Sequence, residues 1–259
     1  GKTEVAIRAA FKTVLEGKQV AVLAPTTILV DQHLETFRRR FEGFPVEVRM
    51  LSRFVSKADA AEVIRGLAEG RVDVVVGTHR LLADTIRFRD LGLVVLDEEQ
   101  RFGVAQKERL KKLRTEVDVI AMSATPIPRT LHLSMMGIRD ISVISTPPEA
   151  RRPIMTYVSE FDTITVREAL LREHYRGGQS FVVVPRISDM AEMEVFLKNE
   201  VTEVTYISAT GQMAAGELDD RMNAFYDGKY DVLLATTIVE SGLDIPSANT
   251  MIVLRADMF

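Results

Sequence analysis

The stretch EGRVDVVVGT, residues 69–78, has the same pattern as DGKYDVLLATT, residues 227–237. Each places a glycine before an aspartate, then a short apolar run, a small residue and a threonine. The glycines are Gly70 and Gly228, an offset of 228 − 70 = 158. An apolar run without polar alternation is typical of a strand that is buried on both faces of a parallel sheet. The pattern therefore predicts one parallel sheet in each half of the chain.

Two further echoes support this repeat. GKQVAVLAP at 17–25 resembles GGQSFVVVP at 177–185, an offset of 177 − 17 = 160. GLVVLDEE aligns with NTMIVLRAD if Leu96 is placed against Leu254, an offset of 254 − 96 = 158. Three segments in the same order at nearly constant offset indicate that the two halves share one α/β fold.

The segments between the apolar runs are predicted to be helices. Runs at 20–25, 72–77, 91–97 and 117–125 predict buried strands. Between the first two, the segment 27–41 carries a stripe with a spacing of four, formed by Leu29, His33, Phe37 and Phe41. This alternation predicts a mostly parallel sheet with helices on both faces.

TPPEARRP, residues 146–153, is the predicted hinge between the halves. Three prolines interrupt helix and central strand, and charged residues replace the apolar runs. We therefore predict lobes at 1–148 and 149–259 with a cleft between them. The alternative is one continuous large sheet, which the restart of the pattern disfavours.

Composition restricts the possible functions. The chain has 259 residues, 46% of them hydrophobic, which suits two lobes of about 130 residues. It has no cysteine, so disulfides, thiolate metal sites and cysteine nucleophiles are excluded. The net charge of −4 argues against a broadly basic surface, although backbone amides can also hold phosphates. Because no apolar run approaches the roughly 18 to 20 residues of a membrane span, we expect a cytoplasmic protein without a membrane partner.

Gly1, Lys2 and Thr3 precede a helix-forming stretch and resemble the second half of a phosphate-binding loop, G-x-x-x-x-G-K-[ST]. In such a loop, amides at a helix N-terminus cradle phosphate oxygens, the lysine reaches the β- and γ-phosphates, and the hydroxyl binds magnesium. The earlier loop residues are expected upstream of the chain. Three residues also occur together by accident, so this motif needs support from elsewhere.

LGLVVLDEEQ, residues 91–100, provides that support. A buried strand delivers Asp97, Glu98 and Glu99 at its carboxyl end, which is where ligands bind in open α/β sheets. Asp97 can hold magnesium, and Glu98 can orient or deprotonate an attacking water. The alternative is a solvated charge cluster that caps a strand.

Two later motifs resemble elements of superfamily 2 helicases. Ser123, Ala124 and Thr125, in SATPIPRT at 123–130, resemble the element that couples nucleotide to nucleic acid. TTIVESGLDIP at 236–246 resembles the second-lobe element that lines the nucleotide site between the lobes. Its nucleotide-contacting residues would be Gly242 and Asp244. A glycine after a strand can equally be an ordinary turn.

Together these motifs resemble the translocase module of bacterial transcription-repair coupling factors, with RecG helicases as the nearest alternative. The resemblance covers essentially the whole chain and rests on six motifs: LSRF at 51–54, GTHRLL at 77–82, DEEQRFGV at 97–104, SATPIPRT at 123–130, TPP at 146–148 and ESGLDIP at 240–246. It implies two RecA-like P-loop lobes that use ATP and Mg²⁺ to move along double-stranded DNA. It also implies displacement of stalled RNA polymerase and recruitment of excision-repair proteins, through domains absent here.

The resemblance also implies which residues track DNA. They are small, hydroxyl-bearing or basic residues that follow strands: Pro25, Thr26, Thr27, Gly77, Thr78, His79, Arg80, Thr236 and Thr237. Hydroxyls and amides can grip phosphates without reading bases. The alternative for the threonines is ordinary helix capping.

Gln100 departs from the family pattern, in which histidine is frequent at this position. Glutamine can still hydrogen-bond toward a γ-phosphate or across the cleft, so we expect the coupling of hydrolysis to DNA to be retuned rather than lost. The family's arginine fingers are expected beyond the chain, and we therefore expect the isolated chain to be poorly active. Two alternatives to the coupling-factor function stay open: a RecG-like helicase for branched DNA and a non-hydrolytic, nucleotide-gated DNA-binding module.

Overall fold

A computed structural model describes residues 1–53, 55–98, 102, 117–123, 141–146, 153–236 and 245–259. The chain divides into two compact units, Gly1–Pro153 and Ile154–Phe259. Each unit is an α/β domain built on a parallel sheet, which confirms the predicted fold class.

The first unit alternates helices and strands. Its described elements are α1 (Lys2–Leu15), β1 (Gln19–Leu23), α2 (Thr27–Phe41), β2 (Val48–Leu51), α3 (Lys57–Glu69), β3 (Val74–Gly77), a 3-10 turn (His79–Leu82), β4 (Leu91–Asp97) and β5 (Asp118–Met122). The sheet order is β2-β3-β1-β4-β5, and every described pair is parallel. β1 therefore lies in the middle of the sheet.

The apolar sequence of β1 is explained by burial on both faces. Val20 and Val22 join the core cluster that includes apolar residues of α1 and α2. Ala21 and Leu23 point the other way, into the cluster that includes apolar residues of α3. Successive strand residues point to opposite faces, so a strand covered by helices on both sides must be apolar throughout.

α2 has the bounds that the four-residue stripe predicts. The stripe is buried along its whole length, at Leu29, His33, Phe37 and Phe41. At the start of the helix, the Thr26 hydroxyl accepts a hydrogen bond of 3.3 Å from the backbone N–H of Leu29. This side-chain cap satisfies one of the amides that a helix N-terminus leaves without an intrahelical partner.

The second unit repeats this plan. Its described elements are α4 (Thr163–Tyr175), β6 (Gln179–Val183), α5 (Ile187–Glu200), β7 (Tyr206–Ala209), α6 (Ala215–Tyr226), β8 (Val232–Ala235), β9 (Ala248–Val253) and a 3-10 turn (Ala256–Met258). The order β7-β8-β6-β9 is again parallel throughout the described pairs. It matches β2-β3-β1-β4 of the first unit position by position.

Side-chain contacts show the repeat at atomic detail. Gln19, at the start of β1, donates hydrogen bonds of 2.9 and 2.7 Å to one carbonyl in α3 and one just before β3. Gln179, at the start of β6, donates bonds of 2.8 and 2.6 Å to the equivalent carbonyls in α6 and before β8. The offset is 179 − 19 = 160, so the predicted echo between residues 17–25 and 177–185 is also present in the structure.

The third predicted echo is wrong by one residue. Leu96 lies beside Leu23, whereas the strand partner of Val183 is Val253. Because Val183 is the counterpart of Leu23, the counterpart of Leu96 is Val253, and Asp97 corresponds to Leu254. The sequence comparison matched leucine with leucine, but hydrogen bonding to the central strand sets the true register. The second unit therefore has an apolar residue where the first has Asp97.

Candidate nucleotide-binding site

The start of α1 provides a helix N-terminus without a side-chain cap. Gly1 is the N-cap residue, and no side-chain oxygen of the described residues caps the helix. Free amides and the positive end of the helix dipole favour an anion at such a position. These features fit a phosphate group, as Gly1, Lys2 and Thr3 predict.

Lys2 joins this helix to the acidic end of β4. Its Nζ donates a hydrogen bond of 3.0 Å to Oε1 of Glu98 and lies 4.0 Å from Oδ1 of Asp97. Thr3 is the next residue of α1 and is partly buried. The structure therefore brings the first motif to the acidic motif, although 96 positions separate Lys2 from Glu98.

Both carboxylate oxygens of Asp97 have partners. Oδ1 accepts a bond of 3.1 Å from the backbone N–H of Glu98. Oδ2 lies 2.8 Å from Nε2 of His33. Since an ionised carboxylate only accepts hydrogen bonds, Nε2 of His33 is the donor. Burial raises the pKa of Asp97, but the bond from His33, attraction to His33 and Lys2, and the Glu98 amide outweigh it, and the pKa lies below its ordinary value.

Glu98 has an unusual backbone as well as a buried side chain. It is 2% exposed, and its φ angle is 49°, in the left-handed region that non-glycine residues rarely adopt. Its backbone N–H also donates to the Met122 carbonyl of β5 at 3.0 Å. Strained backbone of this kind is frequent at functional sites, where neighbouring structure holds it in place.

No group of three or more histidine, aspartate or glutamate side chains that could hold a metal ion occurs among the described residues. Mg²⁺ in a nucleotide site is usually held by one or two protein groups together with phosphates and water. Asp97 is well placed to be such a group.

The predicted DNA-tracking residues of the first unit follow neighbouring strands. Pro25, Thr26 and Thr27 come after β1, and Gly77 and Thr78 come at the end of β3. β1 and β3 pair directly, and the backbone N–H of Ala24 donates to the Gly77 carbonyl at 3.0 Å. Both segments therefore lie at the carboxyl edge of the same sheet.

The two basic residues of this group, His79 and Arg80, are exposed beside that edge. Arg80 Nη1 donates to the Ser52 carbonyl at 3.4 Å. In the second unit, Thr236 follows β8 and is buried, and Ser123 follows β5 of the first unit. Six other predicted site residues lie outside the described residues: Gln100, Ala124, Thr125, Thr237, Gly242 and Asp244.

His33 is the contact that the sequence does not predict as part of the site. The stripe of α2 places it in the core, and the structure buries it there at 6% exposure. The available signal is chemical, because a buried imidazole needs a polar partner and the stripe itself offers none.

Comparison with known proteins places the two domains in the helicase class. The sequence matches the DEAD/DEAH box helicase family over residues 1–133 and the helicase conserved C-terminal domain over residues 163–258. The chain belongs to the DEAD/DEAH box helicase family.

Within that class, the chain is similar to the transcription-repair-coupling factors of Mycobacterium bovis and Bacillus subtilis. It is 55% identical to the first over 259 residues, which are 100% of this chain and 21% of the relative. It is 51% identical to the second over 257 residues, 99% of this chain and 22% of the relative. The chain thus spans about a fifth of the length of these relatives.

The fold is also similar to that of solved structures. RecG bound to a three-way DNA junction matches with a TM-score of 0.80 and 36% identity, over 97% of this chain and 34% of that chain. Saccharomyces cerevisiae Dbp5 bound to RNA and ADP BeF3 matches with a TM-score of 0.65 and 18% identity, over 96% and 66% of the two chains. The second likeness shows the fold alone. No described helix has the length and apolarity needed to cross a membrane.

Proposed function

We propose that this chain is the ATP-hydrolysing motor of a translocase that moves along double-stranded DNA. The observation that carries the proposal is the meeting of Lys2, at an uncapped helix N-terminus, with Asp97 and Glu98 at the end of a buried strand. A phosphate-binding lysine beside a magnesium ligand and a base is what phosphoryl transfer to water requires.

Each residue has a distinct role in this proposal. Lys2 and the first amides of α1 bind phosphate oxygens, and Thr3 and Asp97 hold magnesium. Glu98 orients and deprotonates the attacking water, which requires Lys2 to exchange its 3.0 Å bond to Glu98 for a bond to phosphate. Bound magnesium supplies neutralisation of the charge on the phosphates. Gly242 and Asp244 contact nucleotide from the second lobe, Gln100 tunes hydrolysis, and Ser123, Ala124 and Thr125 couple it to DNA.

DNA is held, in the same proposal, by the residues at the carboxyl edges of the sheets. They are Pro25, Thr26, Thr27, Gly77, Thr78, His79 and Arg80 in lobe one, and Thr236 and Thr237 in lobe two. The boundary that we propose between the two lobes lies between residues 148 and 149.

The biological role that we propose is displacement of stalled RNA polymerase and coupling of transcription to excision repair. It is supported by 51–55% identity to proteins named transcription-repair-coupling factor, against 36% to the RecG structure. A RecG-like function on branched DNA is the second candidate, because RecG matches 97% of this chain. Polymerase and repair partners would bind through other parts of the full-length protein.

The test of hydrolysis is Glu98→Gln, which keeps the shape of the side chain and removes its ability to accept a proton. In the full-length protein, ATP turnover with saturating duplex DNA should fall by about 10²-fold or more, because general bases contribute about 10²–10⁴-fold. Binding of ATP should persist. Glu217→Gln, an exposed glutamate of α6 paired with Arg221, is the control and should keep normal turnover. Normal turnover in Glu98→Gln would remove Glu98 from the mechanism.

A further inference from the structure

The buried bond between His33 and Asp97 links two parts of the first unit that are 64 positions apart. His33 lies on α2 and Asp97 ends β4, and both residues are buried. A histidine that only filled the core could use any polar partner. The partner of His33 is the carboxylate that we propose as the magnesium ligand.

This bond completes the restraint on the Asp97 carboxylate. The Glu98 amide holds Oδ1 at 3.1 Å, and His33 holds Oδ2 at 2.8 Å. Rotation of the carboxylate would break both contacts. His33 and the Glu98 amide therefore fix the plane of the Asp97 carboxylate, with one of its oxygens 4.0 Å from Nζ of Lys2.

α2 connects His33 to the edge of the sheet. His33 lies six residues after Thr27, which is about 9 Å along a helix axis. Leu29 and Phe37, one turn to either side of His33, are packed in the core. A shift of the start of α2 therefore moves His33 with it, because the turns between them are held by hydrogen bonds and packing.

We propose that His33 is a positioning residue, which orients Asp97 for magnesium and ties that orientation to the DNA-contacting start of α2. The inference rests on the proposed function for the roles of Asp97 and Thr26–Thr27. Partners that orient metal ligands in this way typically contribute about 10–100-fold to metal affinity.

The experiment measures the affinity of the protein for a fluorescent ADP with and without magnesium. In His33→Leu, the gain in affinity from magnesium should fall by about 10-fold or more, while magnesium-free affinity stays unchanged. His33→Gln, whose amide can donate from nearly the position of Nε2, should recover most of the gain. His33→Asn, which is too short, should not.

A second arm adds duplex DNA. In the wild-type protein, DNA should change the affinity for magnesium–ADP, and this effect should shrink toward none in His33→Leu. Linkage requires that ADP alters DNA affinity by the same factor, which gives an independent check.

The chain offers a matched control at His174. Its Nδ1 lies 2.9 Å from Oδ1 of Asp231, which comes just before β8, at the end of that strand opposite to Thr236. His174→Leu removes a similar histidine–aspartate bond and should leave the magnesium gain unchanged. Melting curves identify variants that do not fold, and the comparison of His33→Gln with His33→Asn remains decisive if His33→Leu is one of them.

An unchanged magnesium gain in folded His33→Leu and His33→Asn would overturn the positioning role and leave the proposed function intact. If His33→Leu lost the magnesium-dependent gain in ADP affinity but DNA still changed that affinity as in the wild type, the proposed link between Asp97 and the start of α2 would be wrong. No magnesium-dependent nucleotide binding in the wild-type protein would overturn the proposed function, and this inference with it.

Discussion

At Gly77 the backbone of β3 comes so close to β2 that a side chain has no room. A β-carbon there would lie 2.5 Å from the carbonyl oxygen of Leu51 and 2.9 Å from a side-chain carbon of Leu81. The first of these atoms belongs to a paired strand and cannot move alone. Packing thus gives Gly77 a structural reason to be glycine that is separate from its proposed contact with DNA.

Gly77→Ala should therefore lower the free energy of unfolding by about 1–3 kcal/mol, the usual range for overfilled sites. Urea unfolding of both proteins measures it. Gly216→Ala in α6 is the matched control, because a β-carbon there meets no atom within 4 Å. It should be neutral or stabilising, since alanine favours helix. Equal destabilisation by the two substitutions would contradict the packing argument.

The site residues could be predicted where strand order alone determines position. Asp97 and Glu98 end a strand, and Lys2 begins a helix beside the sheet, so their proximity follows from the parallel fold. The positive φ of Glu98 and the bond from His33 could not be predicted. Both depend on how α2 and β5 pack on β4, and spacing along one segment contains no information on that packing.

Among the elements, β8 begins at a polar cluster around Asp231. Its Oδ2 accepts bonds of 2.7 Å from the backbone N–H and the hydroxyl of Thr205, and Oδ1 accepts from His174. Burial raises the pKa of Asp231, but the bonds from Thr205 and the contact with His174 outweigh it and leave the pKa lowered. The ionised carboxylate thus joins β8 to the chain entering β7.

Because the pKa of Asp231 is lowered in the folded state, the contribution of its ionised carboxylate to the stability of the fold depends on pH. It is fully present above the ordinary aspartate pKa of 3.8 and is lost as pH falls through the lower folded value. Asp231→Asn should therefore destabilise the protein more at about pH 5 than at about pH 3. Urea unfolding at both pH values measures the difference. Asp227→Asn, at an exposed aspartate, controls for the loss of a carboxylate. If Asp231→Asn lowered the free energy of unfolding equally at both pH values, the ionised Asp231 would not be the source of this stability.

The sequence predicts the bounds of a helix or strand correctly where its pattern is strong. The stripe and the capping threonine gave α2 its limits at Thr27 and Phe41. Two strands, β2 and β7, were not predicted. Each lies at the edge of its sheet and is only partly buried, so its residues do not form the continuous apolar run that indicates a central strand.

For the whole molecule, the repeat predicted two α/β domains from short motifs, and the strand orders of the two sheets confirm it. The boundary between 148 and 149 stays a prediction. The two domains differ at one chemically important position: Asp97 of the first domain corresponds to Leu254 of the second. Under the proposed function, the first domain therefore holds a magnesium ligand, Asp97, at a position where the second domain has an apolar residue.

Charge at this scale shapes the expected binding of DNA. The net charge of −4 gives no general attraction to phosphates, so affinity must come from local groups at the sheet edges. Hydroxyls, amides and a few basic side chains contact phosphates without reading base edges. Affinity should thus be nearly the same for any duplex sequence and should fall with salt as counterions are released.

Arg80 tests this expectation, because it is exposed at the end of β3 where DNA is proposed to lie. Arg80→Gln should weaken binding equally on unrelated duplexes and reduce the slope of log affinity against log salt by about 1, the value expected for one phosphate contact. Fluorescence anisotropy over a salt series measures both. Arg71→Gln, at the opposite end of β3 and paired with Glu69, is the matched control and should leave the slope unchanged. A base preference in the wild-type protein, or equal slopes in Arg80→Gln and wild type, would place the DNA elsewhere on the molecule.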